Sequence, residues 1–129
     1  MKLFFDENIG STVPDALRHV GAPAQDIARP RKGGVVGLGA TDIEWVRHVG
    51  ANGYLGLTED LKILQSPAVI QEARRWGAGL IFLPTGQWPR WQVLRLLLWR
   101  WEWLQTVDAS VPRPFAFRWD RHGRARRIY

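Results

Sequence analysis

Apolar positions in the first 107 residues alternate between short unbroken runs and stretches with helical spacing. Lys2-Leu3-Phe4-Phe5, Tyr54-Leu55-Gly56-Leu57-Thr58 and Gly79-Leu80-Ile81-Phe82-Leu83 are brief, uniformly apolar and end at Asp6, Glu59 and Pro84. They read as buried strands. Ala24 to Ala28 suggests a further short strand. Between the strands, Ser11-Thr12 followed by Pro14 and Asp15 opens a helix whose Val13, Leu17 and Val20 share a face before Gly21. Thr41-Asp42-Ile43-Glu44 has the form of a capping box, in which threonine and glutamate side chains serve free amides of the first turn. Ser66-Pro67 starts a third helix that runs to about Trp76. Trp88 to about Thr106 is expected to form one long helix, with Gln92, Arg95, Trp99, Glu102 and Thr106 along one stripe.

This alternation predicts an α/β sandwich with a mostly parallel sheet. The residues after it differ in character. Val111-Pro112-Arg113-Pro114 reads as a stiff linker, and Phe115 to Trp119, a turn at Asp120 to Gly123, and Arg124 to Tyr129 as a β-hairpin. The expected organisation is therefore an α/β domain over 1–110 and a basic hairpin appendage over 111–129. The glycine-rich stretch Gly33 to Gly39 lacks a following Gly-Lys-Ser/Thr, so it reads as a mobile rim and not a phosphate cradle.

Composition narrows the chemistry. The 129 residues include no cysteine, which removes disulfide scaffolds, thiolate metal sites and cysteine nucleophiles. Neither Gly-x-Ser-x-Gly nor His-Glu-x-x-His occurs. The three histidines, His19, His48 and His122, stand apart in sequence. The start of the chain has no signal-peptide pattern, and the one candidate membrane segment is interrupted by Arg90, Arg95, Arg100 and Glu102, so a cytoplasmic location is expected. The net charge of +6 is concentrated at the end: residues 111–129 hold six arginines against Asp120. A basic end on a nearly neutral body suits a polyanionic partner.

Ligands of open parallel sheets bind at the carboxyl ends of the strands. Asp6 and Asp60 follow predicted strands, and Asp42 lies in the first turn of a predicted helix. Carboxylates brought together repel unless a cation joins them. A hard divalent ion such as Mg²⁺ or Mn²⁺ accepts oxygen ligands, keeps several waters, and can orient water against a phosphodiester. Each residue also has a plainer role: Asp42 can complement the helix dipole, Glu44 can serve the capping box, and Asp60 can cap or turn the chain. Glu7 and Glu59 neighbour stronger candidates and, by strand alternation, point away from them. Arg31-Lys32 and Lys62 lie beside this acidic edge, where they are candidates to contact the phosphates of a nucleic acid, with solvated side chains as the plainer reading. Within the hairpin, Arg118, Trp119, Arg121, Arg124 and Arg126 combine aromatic and cationic groups in the manner of single-stranded RNA binding. Trp88, Trp91, Trp101 and Trp103 are expected in the core or in an interface, which could be that of a homodimer.

Met1 to Asn8, the helix at Pro14 to Val20, Asp42-Ile43-Glu44-Trp45 and Leu57-Thr58-Glu59-Asp60 together resemble the PIN-like domains, and more narrowly the compact VapC-like toxins of bacterial toxin–antitoxin modules. The resemblance covers about residues 1–85. It implies a PIN-like α/β/α sandwich and a Mg²⁺- or Mn²⁺-dependent ribonuclease held inactive by a cognate antitoxin protein. It also implies Asp6, Asp42 and Asp60 as metal ligands, Glu44 as a further acid and Thr58 as a hydroxyl ligand or orienter. One position departs from the pattern. Many PIN nucleases carry another acid after the last core strand, and Ile81 to Gln87 offers none. That departure gives weight to a second reading, a non-catalytic PIN-like module that binds RNA or protein. Phosphotransfer signalling fits less well, because no lysine follows the strand at Gly79 to Leu83.

Overall fold

The computed structural model describes residues 1–129. The apolar runs form strands β1 (Lys2–Phe5), β3 (Leu55–Thr58) and β4 (Gly79–Phe82), joined by β2 (Asp26–Ala28), β5 (Phe115–Trp119) and β6 (Ala125–Arg127). They make one six-stranded sheet in the order β2-β1-β3-β4-β5-β6. Every pairing is parallel except that of β5 with β6. The α/β expectation holds.

Two helical layers cover the sheet. Helices α1 (Thr12–His19), α4 (Arg90–Trp99) and α5 (Trp101–Ser110) pack on the face presented by Leu3, Phe5, Leu55, Leu57, Ile81 and Phe115. Helices α2 (Asp42–Ala51) and α3 (Pro67–Arg75) cover the opposite face, where Phe4, Leu80, Phe82 and Ala116 point. The period-two alternation of the strands sorts these residues between the two cores. No helix is long and apolar enough to cross a membrane.

The capping box of α2 forms as expected: Thr41 Oγ1 accepts from the Glu44 amide and Glu44 Oε2 from the Thr41 amide. At α3 the proline sits in the first turn, but Ser66 makes no side-chain capping bond. Three expectations are corrected. The single helix over 88–106 is two helices that meet at Arg100. No glycine or proline marks that junction. It lies where Gly123 of the hairpin turn seats against the Arg100 stem and Leu96, so it is a tertiary feature. The hairpin is present, yet it is not appended. β5 hydrogen-bonds along the full length of β4, and Phe115, Ala116 and Trp119 belong to the two cores, so packing does not separate 1–110 from 111–129. The loop at 33–39 is tied at two points: Val36 is buried in the core, and the Gly39 amide donates to Glu7 at 2.8 Å.

Candidate metal-binding and nucleic-acid-binding edge

β1 connects through α1 to β2 on one side, whereas α2 leads to β3 on the other side of β1 and across the opposite face. The carboxyl ends of β1 and β3 thus flank the point where the winding reverses, the position at which open α/β sheets form a crevice. Asp6 follows β1, Asp60 follows β3 by two residues, and Asp42 opens α2. All three lie on the α2 side, because Asp6 continues the alternation of Lys2 and Phe4.

Asp6 is the buried member, with 7% of its surface exposed. Its Oδ1 accepts from the Glu7 amide at 2.7 Å, and its Oδ2 accepts from Thr58 Oγ1 at 2.7 Å. The Thr58 hydroxyl is fully buried and accepts in turn from the Asp60 amide at 3.0 Å. Burial pushes the Asp6 carboxyl up to about 6. The Thr58 and Glu7 hydrogen bonds restrain that rise, while the charges of Asp42 and Asp60 add to it. Asp6 therefore lies within electrostatic reach of both other aspartates. Asp60 also caps the 3-10 turn Leu61–Gln65, accepting from the Lys62 amide at 3.0 Å.

Asp42 is held by a residue the sequence reading assigned no role. Trp45 Nε1 donates to Asp42 Oδ1 at 3.0 Å. The indole lies parallel to Phe4 and over Gly56, where a Cβ would stand 3.1 Å from the ring and 2.9 Å from Leu80. Gly56 is thus the space that lets the tryptophan reach the sheet and aim its N–H at the aspartate.

Glu59 points to the other face, as alternation requires, but it is not solvated: 3% of its side chain is exposed. It accepts from the Thr85 hydroxyl and pairs with Arg90 at 3.4 Å. Arg90 also donates to the carbonyls of Ile9, Thr85 and Trp88. A single guanidinium so joins the ends of β1, β3 and β4 to the start of α4. In the segment Ile81 to Gln87, which carries no acid, Thr85 fastens Glu59.

The other candidates divide. Glu44 is spent on its cap, and Lys62 has an exposed side chain beside Asp60. Because β5 runs parallel to β4, the turn after it opens at the same sheet edge as Asp6 and Asp60. Arg121, Arg124 and Arg126 are exposed there and Arg118 is half-buried, and none has a carboxylate within 4.0 Å. Trp119 is corrected. It is 1% exposed and edge-on to Trp103, so neither ring face can take a base. Trp101 is buried as expected, Trp91 stands in solvent, and Trp99 is exposed on the polar stripe of α4.

The donor set at the β1/β3 end is carboxylate and hydroxyl oxygen, the chemistry that suits Mg²⁺ or Mn²⁺. A desolvated aspartate raised by two like charges fits such an ion, because a cation would relieve both costs. The fit is to a water-rich coordination with few protein ligands, since nowhere in the chain do three or more His, Asp or Glu side chains form a ready ligand group.

A family model described as "PIN like domain" matches residues 1–85, which span β1 to the end of β4 and include Asp6, Asp42, Thr58 and Asp60. No curated protein and no solved structure matches the chain.

Proposed function

From the premise that this chain belongs to the PIN-like domain family, whose members are commonly nucleases, we propose that it is a Mg²⁺- or Mn²⁺-dependent ribonuclease. The observation that carries this reading is the buried Asp6, hydrogen-bonded to Thr58 and repelled by Asp42 and Asp60 at the sheet's reversal point. Asp6, Asp42 and Asp60 would hold the ion, in part through its bound waters. When bound, such an ion supplies charge neutralisation at the scissile phosphate and an acidified water.

The chain's own residues prepare that site. Thr58 donates to Asp6 Oδ2, which fixes that carboxylate, and it fixes the Asp60 backbone by accepting from its amide. Trp45 keeps the Asp42 carboxylate at the first turn of α2. Glu59, already neutralised by Arg90, stays outside the donor set. The free arginines after β5 offer phosphate contacts at the same edge. The family resemblance further suggests a toxin restrained by a cognate antitoxin protein; a small acidic protein encoded beside it that suppresses cleavage would support that role.

The test is cleavage of an unstructured, fluorophore–quencher RNA with Mg²⁺, with Mn²⁺ and with EDTA. Cleavage that needs the ion and disappears in Asp6→Asn and Asp60→Asn supports the assignment. Cleavage undiminished in both variants overturns it. The lack of a closed three-carboxylate group favours a second reading, a PIN-like module that binds RNA without cutting it. RNA binding with no cleavage and no shift in Tm on adding Mn²⁺ would select that reading.

A further inference from the structure

Residues after 85 lie beyond the family match, and they build a second feature of the same edge. Two cavities of about 460 and 470 Å³ run between α4 and the β5–β6 turn, and a third of about 540 Å³ lies along β5 and β6 beside Pro84. The first two share Trp88, Gln92, Arg121 and His122, and the second and third share Pro84. Together they form one groove that starts at the end of β4.

The groove has fixed walls. Asp120 Oδ1 accepts from the amides of His122 and Arg124 at 2.8 and 3.0 Å, which shapes the turn. Gly123 has φ +77°, and a Cβ there would stand 2.8 Å from Arg100 and 3.2 Å from Leu96, so the turn rests directly on α4. Its lining is of two kinds. Arg95, Arg121, Arg124 and Arg126 are exposed, with no carboxylate within 4.0 Å to neutralise them. Trp99 is 77% exposed at one end, and Trp88 is half-buried near Pro84. The cavity at this end sets an exposed indole beside the guanidinium groups of Arg95 and Arg121. It suits a ligand that is both flat and anionic.

We propose that this groove binds unpaired nucleotides of a single-stranded RNA, with a base stacked on Trp99 and the backbone phosphates against Arg95, Arg121 and Arg124. This rests on the nuclease reading and deepens it. β3 and β5 are two strands apart, roughly 10 Å at the usual strand spacing, so a strand lying in the groove continues toward Asp6 and Asp60. Concentrated positive charge argues against a second copy of this chain as the occupant. The exposed indole distinguishes a stacked base from a merely acidic polypeptide, which would need the arginines alone.

The experiment is fluorescence anisotropy of a 5′-fluorescein, ten-nucleotide unstructured RNA, titrated in EDTA so that binding is read without cleavage. Trp99→Ala should weaken binding about tenfold, within the range set by loss of one base–aromatic stack, and Trp99→Phe should restore most of it. Arg121→Ala should flatten the dependence of log Kd on log salt by roughly 0.7. Both side chains are exposed, so unchanged thermal melts confirm that the fold is intact. Trp91→Ala, at an exposed tryptophan outside the groove's lining, should bind as the parent does. Binding read in EDTA and cleavage read with Mn²⁺ separate the two proposals: weakened binding in the groove variants speaks to the groove, and cleavage lost in Asp6→Asn speaks to the acidic site. Parent-like affinity in both Trp99→Ala and Arg121→Ala overturns the groove. So does an effect confined to the arginines, with polyglutamate displacing the RNA, because that outcome assigns the groove to an acidic protein segment.

Discussion

The two ends of one sheet edge are built on opposite terms. At β1 and β3, a buried and hydrogen-bonded Asp6 lies within electrostatic reach of the half-buried Asp42 and Asp60. At β5 and β6, like charges are spread over a rim and left to water. The acidic end stores electrostatic cost inside the fold, where screening is weak and each group is positioned before a ligand arrives. The basic end stores almost none, because solvent and salt already screen it. Substitutions at the two ends should therefore differ in size and in their response to salt.

Between the two ends lies the Glu59–Thr85–Arg90 cluster, and removing its cation should have the largest effect. Arg90→Ala leaves a carboxylate with 3% exposure unpaired and frees three carbonyls from their donor. The expected cost is about 3 kcal/mol, as for other buried pairs broken on one side. Urea unfolding at neutral pH would measure it. A loss below about 1 kcal/mol would mean that the acidic and basic ends are not joined through this residue.

Asp6→Asn should move stability the other way. The Asp6 carboxyl rises from 3.8 when unfolded to about 6 when folded, so the native state binds the proton more tightly. Wild-type stability attributable to this group is fully present below pH 3.8 and is lost as pH rises through 6. Asparagine avoids that loss. The variant should gain up to about 3 kcal/mol at pH 8, by the conversion of a two-unit shift, and the gain should shrink through the window from pH 6 to below 4. Denaturant melts across that range check the slope. Combined with lost cleavage, the result would make Asp6 a residue kept for function at the expense of stability.

Thr58→Val comes next in size. It leaves Asp6 Oδ2 and the Asp60 amide each without a partner, at a cost of about 2 kcal/mol. Loss of a bond to the charged form also lifts the Asp6 carboxyl further. The transition seen in the pH–stability profile should therefore shift to higher pH, an effect that a purely steric lesion would not produce.

What the sequence disclosed follows the range of each interaction. The capping box of Thr41 and Glu44 was legible because both partners lie in one turn. Asp6 stood out because it ends an apolar run, and a strand end at a sheet edge is a local signal. The contacts that shape the site are not local. Thr58 reaches Asp6 across 52 residues, and Thr85 reaches Glu59 across 26. Trp45 lies three residues from Asp42, yet its aim depends on the gap at Gly56 in another strand. Trp119 was misread although a signal existed. Phe115, Phe117 and Trp119 alternate onto one face, which marks the tryptophan as part of the α4–α5 core. The same counting places Trp99 on the polar stripe of α4, and the structure leaves it there, in solvent.

The smallest expected effect is also the sharpest test of the contrast. Replacing Arg121 and Arg124 together by alanine removes two surface charges that have no carboxylate within 4.0 Å. Stability should change by less than about 0.5 kcal/mol, the usual range for surface positions away from buried features. Any small change should be a gain, since mutual repulsion among the rim arginines is relieved. High salt should abolish it, whereas salt should hardly touch the Asp6→Asn gain, which arises in a buried site that ions screen poorly. Parallel urea melts of both variants at low salt and at 1 M salt make the comparison directly. Equal salt sensitivity would place the Asp6 carboxylate in solvent and dissolve the distinction between a buried acidic end and a solvated basic one.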